Sequence, residues 1–488
     1  MALPAVHSSF HISRWQLFHL YFCFVVFVLT VTGVLPAFDF GLFVAVELNL
    51  LILPEWLAFV ASLLAVRGRP QLAMQLINLG FRIDDQNYRL LCARALAYQQ
   101  IGDLESALED ASQAILVAPN RPYALTMRGV VHLCLSDYVE AEADYNQILK
   151  QKPGDVVAAL NRACARLQLG KINECIADCD LVLQGRKYRE NAYFIKIAAL
   201  LEMRKIKEAE VLVQQLEASK SKHHLVTLAQ AMLQGASHKY EAVLDICAAA
   251  PADRKAEFFL TPQAGAYLSL NEGDLALSTA SLVVTKNPQI YTGYYYRALV
   301  LIEAGYWQEA VADCNMVDTL QPHLSLSNAL RARLSFAAGD MEQCLENCDK
   351  ALVKNQFDSH ALHYKVKALC ALSRFDEARE AAKLALEINP VDSEALSAMA
   401  LVLFKVEGPE AALPLLDRAI AEDPHLRFDY KLRSEVHDAL GDSARSQSDL
   451  ELYQSKQAQL IAGLAESVLR LQQARDLQQE GDPLAYLG

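Results

Sequence analysis

The 488-residue sequence lacks the marks of a chemical centre. It holds no Gly-rich phosphate loop, no G-x-S-x-G elbow and no H-E-x-x-H pair. Its eleven cysteines form no C-x-x-C and no Cys–His spacing that completes a metal site. His360 and His363 lie one helical turn apart, but no third ligand accompanies them, so the pair reads as solvated. Basic residues are scarce too: 45 Lys and Arg face 58 Asp and Glu, a formal net charge of −13. A surface of that sign does not replace the counterions of nucleic acid. An enzyme, a cofactor, a metal and a nucleic-acid partner are therefore not expected.

Charge is missing altogether from Trp15 to Leu35 (WQLFHLYFCFVVFVLTVTGVL). Those twenty-one residues, at 1.5 Å each, make about 30 Å of helix, the thickness of the hydrocarbon core. A signal peptide wants a shorter apolar core and small residues before its cut, and Leu35-Pro36-Ala37 is a poor cleavage site. Residues 1–14 thus read as a short tail and 15–36 as a transmembrane helix. The next apolar segment, Phe40 to Val66, is open to two readings. As a second span, its large apolar residues contribute roughly −6 kcal/mol, and Glu47 and Glu55 oppose this by up to about 3 kcal/mol each. As a repeat helix, Pro54 to Val66 places Leu57, Ala61 and Leu64 at core positions, with Pro54 at the helix start and Glu55 in its first turn. Two spans would put Arg14, Arg67 and Arg69 on the cytoplasmic side and the rest of the chain with them. One span would send it outside. So many free thiols suit a reducing compartment, and two spans are the expectation.

What the sequence has in abundance is one spacing. Ala73, Ala107, Ala141, Cys175 and Ala209 stand 34 apart; after a 33-residue step, Ala242, Ala276, Ala310, Cys344, Ala378 and Ala412 resume the beat. Twelve residues before a rung another small residue recurs, as at Ala95, Gly129, Ala163 and Ala298. Between them sits a Gly (Gly102, Gly305), and twelve residues after a rung a Pro (Pro119, Pro153, Pro288, Pro322, Pro390, Pro424). Apolar residues at i, i+3, i+4 and i+7 on both sides of the Gly describe helix, tight turn, helix, with the Pro as stop. Cys at a rung, or four residues on at Cys179, Cys314 and Cys348, acts as a small buried hydrophobe. A fixed period of this length marks a stacked array.

The pattern resembles that of tetratricopeptide-repeat proteins, over roughly residues 54–455. The fold expected is an all-α solenoid of about twelve repeats, preceded by transmembrane helices, with its regularity degraded at 205–251, where Gly235 and Ser237 would interrupt a helix. A final helix at 456–488, with Leu460, Ile461, Leu464, Val468 and Leu471 on one face, reads as a polar-backed cap. The resemblance implies a concave groove lined by the second, fifth, sixth and ninth residues of each first helix. Here that gives Phe194, Ile195, Tyr295, Tyr296, Leu330, Arg333, His360, His363, Tyr364 and Lys367. Aromatic and Arg residues are common interface anchors, so the groove is expected to bind an extended peptide with apolar side chains and a carboxylate. The Lys–Asn–Arg clamp by which some relatives grip acidic chaperone tails is not matched: Asn161 fits its middle slot, but Thr126, Val130, Asn191 and Ile195 depart from it.

The sequence thus points to a membrane-anchored scaffold with its array in the cytoplasm and protein or peptide partners. The alternative is an envelope-assembly or secretion factor with the array outside.

Overall fold

The computed structural model describes residues 39–479, except 120, 186, 220, 222, 251–255 and 323. The expected Trp15–Leu35 span lies outside these residues. Among the described residues no helix is long and apolar enough to cross a membrane. The chain divides between residues 166 and 167 into two compact units. The first contains α1 (Asp39–Val66), α2 (Pro70–Phe81), α3 (Tyr88–Ile101), α4 (Leu104–Val117), α5 (Pro122–Leu135) and α6 (Tyr138–Gln151), and α7 (Val156–Gln168) ends it. The second continues with α8 (Ile172–Leu183), α9 (Arg189–Glu202), α10 (Ile206–Ala218), α11 (His224–Ala236), α12 (Tyr240–Ala248), α13 (Leu260–Ser269), α14 (Gly273–Lys286) and α15 (Tyr291–Ala304). Then follow α16 (Trp307–Leu320), α17 (Leu326–Ala337), α18 (Met341–Lys354), α19 (Ser359–Ala371), α20 (Phe375–Ile388), α21 (Ser393–Val406), α22 (Pro409–Glu422), α23 (Arg427–Ala439), α24 (Ser443–Ile461) and α25 (Leu464–Gln479). No strand occurs among the described residues.

The rungs are where the helices of a pair touch. Ala73, Ala107, Ala141, Cys175, Ala209, Ala276, Ala310, Cys344, Ala378 and Ala412 are all 0% exposed. The earlier small residue is as confined: a Cβ at Gly129 would lie 2.8 Å from the buried Tyr145 ring. Helices α4, α6, α14, α16, α20 and α22 each end two residues before their Pro, because the residue preceding a Pro is pushed out of helical geometry. Gly102 and Gly305 take φ of 92° and 89° at the turn inside a pair, a region that favours glycine.

A second staple repeats at the same period. Arg94 meets Asp110, Arg128 meets Asp144, Arg297 meets Asp313 and Arg433 meets Asp449, each through two N–H···O bonds of 2.6 to 2.9 Å. The partners are sixteen residues apart, one on each helix of a pair. The planar guanidinium matches the carboxylate in both position and angle, so this pair fixes how far one helix slides along the other.

Four expectations change. Ala242 is half-buried, and its neighbour Val243 is 2% exposed. The 34-residue beat therefore runs on from Ala209 to Val243, and the deletion falls after it. Gly235 sits inside α11 and Ser237 only caps it, so the helix is not interrupted there. Pro54 lies within α1 and not at its start, while Leu57, Ala58, Ala61 and Ala65 bury against α2 and α3 as a first repeat helix would. The C-terminal helix is two helices, broken at Gly463 (φ 73°). That break turns Leu464, Val468 and Leu471 into the core beside Leu277, Leu301 and Val317 and leaves Ile461 exposed.

Overpacking a rung should cost more than overpacking beside one. Ala310→Trp is expected to destabilise its unit by about 1–3 kcal/mol or more, and Ala242→Trp by much less. Thermal unfolding and limited proteolysis of the two variants compare them; equal effects would mean that the register is wrong.

Candidate functional site

The turn inside each helix pair needs a left-handed residue every 34 positions, and Gly fills most of them. Ser takes its place at Ser136 and Ser373, and in three consecutive repeats larger side chains do: Arg204, His238 and Asn271 hold φ of 55°, 57° and 62°. A side chain in that region is strained by about 1 kcal/mol or more, so each ought to gain something. Each reaches a repeat far along the chain. Arg204 Nη2 donates to Ser359 Oγ at 3.1 Å and lies 3.6 Å from Asp392. His238 Nδ1 is 3.0 Å from Asp423, which also accepts from the Tyr240 hydroxyl at 2.9 Å. Burial opposes a charge on His238, but Asp423 outweighs it and raises the imidazole pKa. Asn271 Nδ2 donates to the His425 carbonyl (3.1 Å), and its Oδ1 accepts from Arg427 Nη1 (3.2 Å). Within residues 167–488, the superhelix thus returns over itself.

The same closure is completed from the C-terminal end. Ser467 bonds Asp274 and Gln472 bonds Glu309, and a Cβ at Gly273 would collide with the Leu460 carbonyl oxygen. Only glycine lets α24 come this close.

Inside the closed turn, charges converge. Glu303, at the end of α15, is shared by Arg333 of α17 and Arg427 of α23. Burial alone would raise the Glu303 pKa; the two guanidinium groups hold it below the usual carboxylate range. Arg427 also donates to Gln457 at 2.7 Å. Lys367 of α19 has no such partner. Its ammonium lies over three rings, Phe336 at 4.7 Å, Tyr364 at 5.1 Å and Phe428 at 5.3 Å, each a weak cation site through its π-face. Burial, with Arg333 nearby, lowers the Lys367 pKa. Arg333 also stands over Tyr364, 5.6 Å from its centre.

One repeat further, Glu394 at the start of α21 gathers the two histidines. His360 Nδ1 lies 2.8 Å from Glu394 Oε2, and that carboxylate raises the imidazole pKa to about 9. His363 Nδ1 bonds the Glu394 carbonyl at 3.1 Å; burial and Lys367 push its pKa down to about 4. The pair is thus bound to one residue and not simply solvated. Asp429 accepts from Ser397 Oγ at 2.6 Å, but its other oxygen has no partner. Burial, with Glu394 close by, lifts that carboxyl to about 7.

Residues 92–156 match the tetratricopeptide repeat family model. That match covers two of the helix pairs in full or part, and the rest of the described chain is a helical-repeat array of similar architecture. The chain is 23% identical over 298 residues to Hsp70-Hsp90 organizing protein 3 of Arabidopsis thaliana, covering 57% of this chain. It spans 52%, about half, of that relative's length. Among solved structures, the APC/C hetero-tetramer Cut9-Hcn1 superposes with a TM-score of 0.50 at 14% identity, over 84% of this chain and 96% of that one. A tetratricopeptide repeat protein from Parabacteroides merdae ATCC 43184 aligns at 17% identity over 58% of this chain and 98% of its own, with a TM-score of 0.31. At 14% identity the Cut9-Hcn1 superposition speaks for the fold alone.

The array brings Tyr295, Arg333, His360, His363, Tyr364 and Lys367 into one neighbourhood. Tyr296 stands edge-on to Tyr295, its hydroxyl pressed over Gly265. Leu330 is 1% exposed and belongs to the core between helices. Phe194 packs in a different cluster, with Ile197, Leu200 and Val213, and Ile195 is buried at 5% exposure. The groove pattern missed Glu303, Glu394, Arg427, Phe428 and Asp429. Glu394 and Phe428 occupy the second position of their helices and were visible to the same rule. Asn161, the one clamp match, is fully buried.

The Asp429 shift has a definite sign. The unfolded chain gives up this proton near the ordinary 3.8 and the folded chain near 7. Folded stability is therefore lost as pH rises between those values, by about 1.4 kcal/mol per unit at most. Asp429→Asn removes the titration, so its melting temperature relative to the parent should climb from pH 4 to pH 7 and level off above. A constant offset would contradict the assignment.

Proposed function

We propose that the array binds peptide segments of partner proteins inside the turn formed by residues 167–488, and that an N-terminal anchor holds it at a membrane. One observation carries the first half. Arg333 and Arg427 share one carboxylate, Glu303, and Lys367 beside them makes no ion pair among the described residues, its ammonium lying over three aromatic rings. Glu394 is balanced by His360. The interior is therefore cationic in a chain whose net charge is −13. A carboxylate, from an acidic side chain or a free C-terminus, would neutralise Lys367, while Tyr295, Tyr364, Phe336 and Phe428 offer apolar faces to the residues beside it. The relative from Arabidopsis is named for organizing Hsp70 and Hsp90; with the clamp residues unmatched and Asn161 buried, acidic chaperone tails are not the ligand proposed.

The test is a peptide array probed with the intact protein, each peptide present both with a free C-terminal carboxylate and as its amide. Free carboxylates should be enriched. Lys367→Met should weaken them about tenfold or more, roughly the 1.4 kcal/mol or greater of a modest hot spot. Equal binding of acids and amides, or a Lys367→Met variant that binds unchanged, would sink the reading.

For the second half, the uncharged Trp15–Leu35 run supports an anchor, and the side of the array, cytoplasmic if the chain crosses twice and outside if that run is the single crossing, can be read by thiol labelling. Most described cysteines are buried, so a thiol introduced at the exposed Glu217 gives the dominant signal. Glu217→Cys in intact cells should react with an impermeant maleimide only after permeabilisation. Labelling from outside would overturn the cytoplasmic placement.

A further inference from the structure

The first helix pair carries a face that the array leaves unused. On α1, Leu57, Ala58, Ala61 and Ala65 turn into the core. Leu53, Trp56, Leu63 and Val66, at i, i+3, i+10 and i+13, form another stripe and are 38 to 45% exposed. Leu72 and Leu79 on α2, two turns apart, are 44 and 47% exposed. Elsewhere in a solenoid such a face is covered by the preceding repeat; α1 and α2 form the leading pair of the described array.

Two further observations indicate what covers this face. The uncharged Trp15–Leu35 run, long enough to span hydrocarbon, ends four residues before α1 begins at Asp39. A chain that leaves the bilayer there holds the leading pair against its surface. Arg67 and Arg69 at the α1–α2 turn are exposed and form no salt bridge among the described residues. A basic pair beside an apolar stripe with a Trp is the composition of a helix lying in a lipid interface, Trp at headgroup depth and cations on the phosphates.

We propose that the face formed by Leu53, Trp56, Leu63, Val66, Leu72 and Leu79 lies in the interfacial layer of an anionic lipid bilayer, with Arg67 and Arg69 at the headgroups. The first repeat is then a lipid-contacting base for the array. This rests on the membrane-anchor reading and adds a lipid contact that anchoring alone does not require.

The experiment uses the full chain with Trp15→Phe and Trp307→Phe, which leaves Trp56 as the one tryptophan of three. It is reconstituted into phosphatidylcholine–phosphatidylserine vesicles with brominated acyl chains, floated on a density gradient, and read by fluorescence. The expected result is flotation with loss of most Trp56 emission relative to unbrominated vesicles. Adding Leu63→Glu and Leu79→Glu should restore the emission while flotation persists. Flotation with an unquenched Trp56 overturns the lipid contact and leaves the anchor standing; the face is then covered by the N-terminal segment or a second copy. Absence of flotation overturns the anchor and this proposal together.

Discussion

Close contact between paired helices at a single small residue sets the geometry of everything else. With Ala or Cys at the rung and Ala or Gly twelve residues earlier, the two backbones approach until only a methyl or thiol separates them. The Arg–Asp pair sixteen residues apart then fixes their sliding, and the left-handed turn fixes their angle. A pair defined at three points repeats with little variation, so successive pairs accumulate rotation in one sense. Within residues 167–488 that rotation brings Asn271 beneath His425 and Arg204 beneath Ser359, about 155 residues away in each case.

Closure of the turn changes the electrostatics of its interior. Charged groups that an open groove would leave in water are shielded there, where their interactions are stronger and their desolvation is larger. Glu303 between two guanidinium groups is the satisfied part of this interior. Lys367 among three rings and Asp429 with an unpaired oxygen are the unsatisfied part. Buried polar groups left short of partners are uncommon, and here they lie together inside the closed turn. The peptide-binding proposal follows from that imbalance.

The elements that depend on neighbours in the chain were legible in the sequence: rungs, stops, glycine turns and most of the inward-facing column. One rung was misplaced because small residues are not a strict requirement. Val243 fits where Ala was expected, and the facing helix offers Gly235, whose missing side chain leaves room beside it. The break at Gly463 had its signal in a single glycine, masked by an apolar stripe that continues across it. The substitution of Arg204, His238 and Asn271 into a glycine column was also visible; its meaning was not. Contacts between residues about 155 apart depend on rotation summed over several repeats, and no local pattern encodes that sum. Leu330 shows the related error in miniature: the column predicted a groove, and the next pair turned the side chain into the core.

The central claim is that the turn closes on itself around Glu303. A double-mutant cycle on Glu303→Gln and Arg427→Gln, 124 residues apart, tests it most directly by denaturant unfolding. Closure predicts a coupling energy of about 1 to 3 kcal/mol between them. Additivity within about 0.5 kcal/mol would mean that the two residues do not meet in solution, and the enclosed cationic site would be lost with that contact.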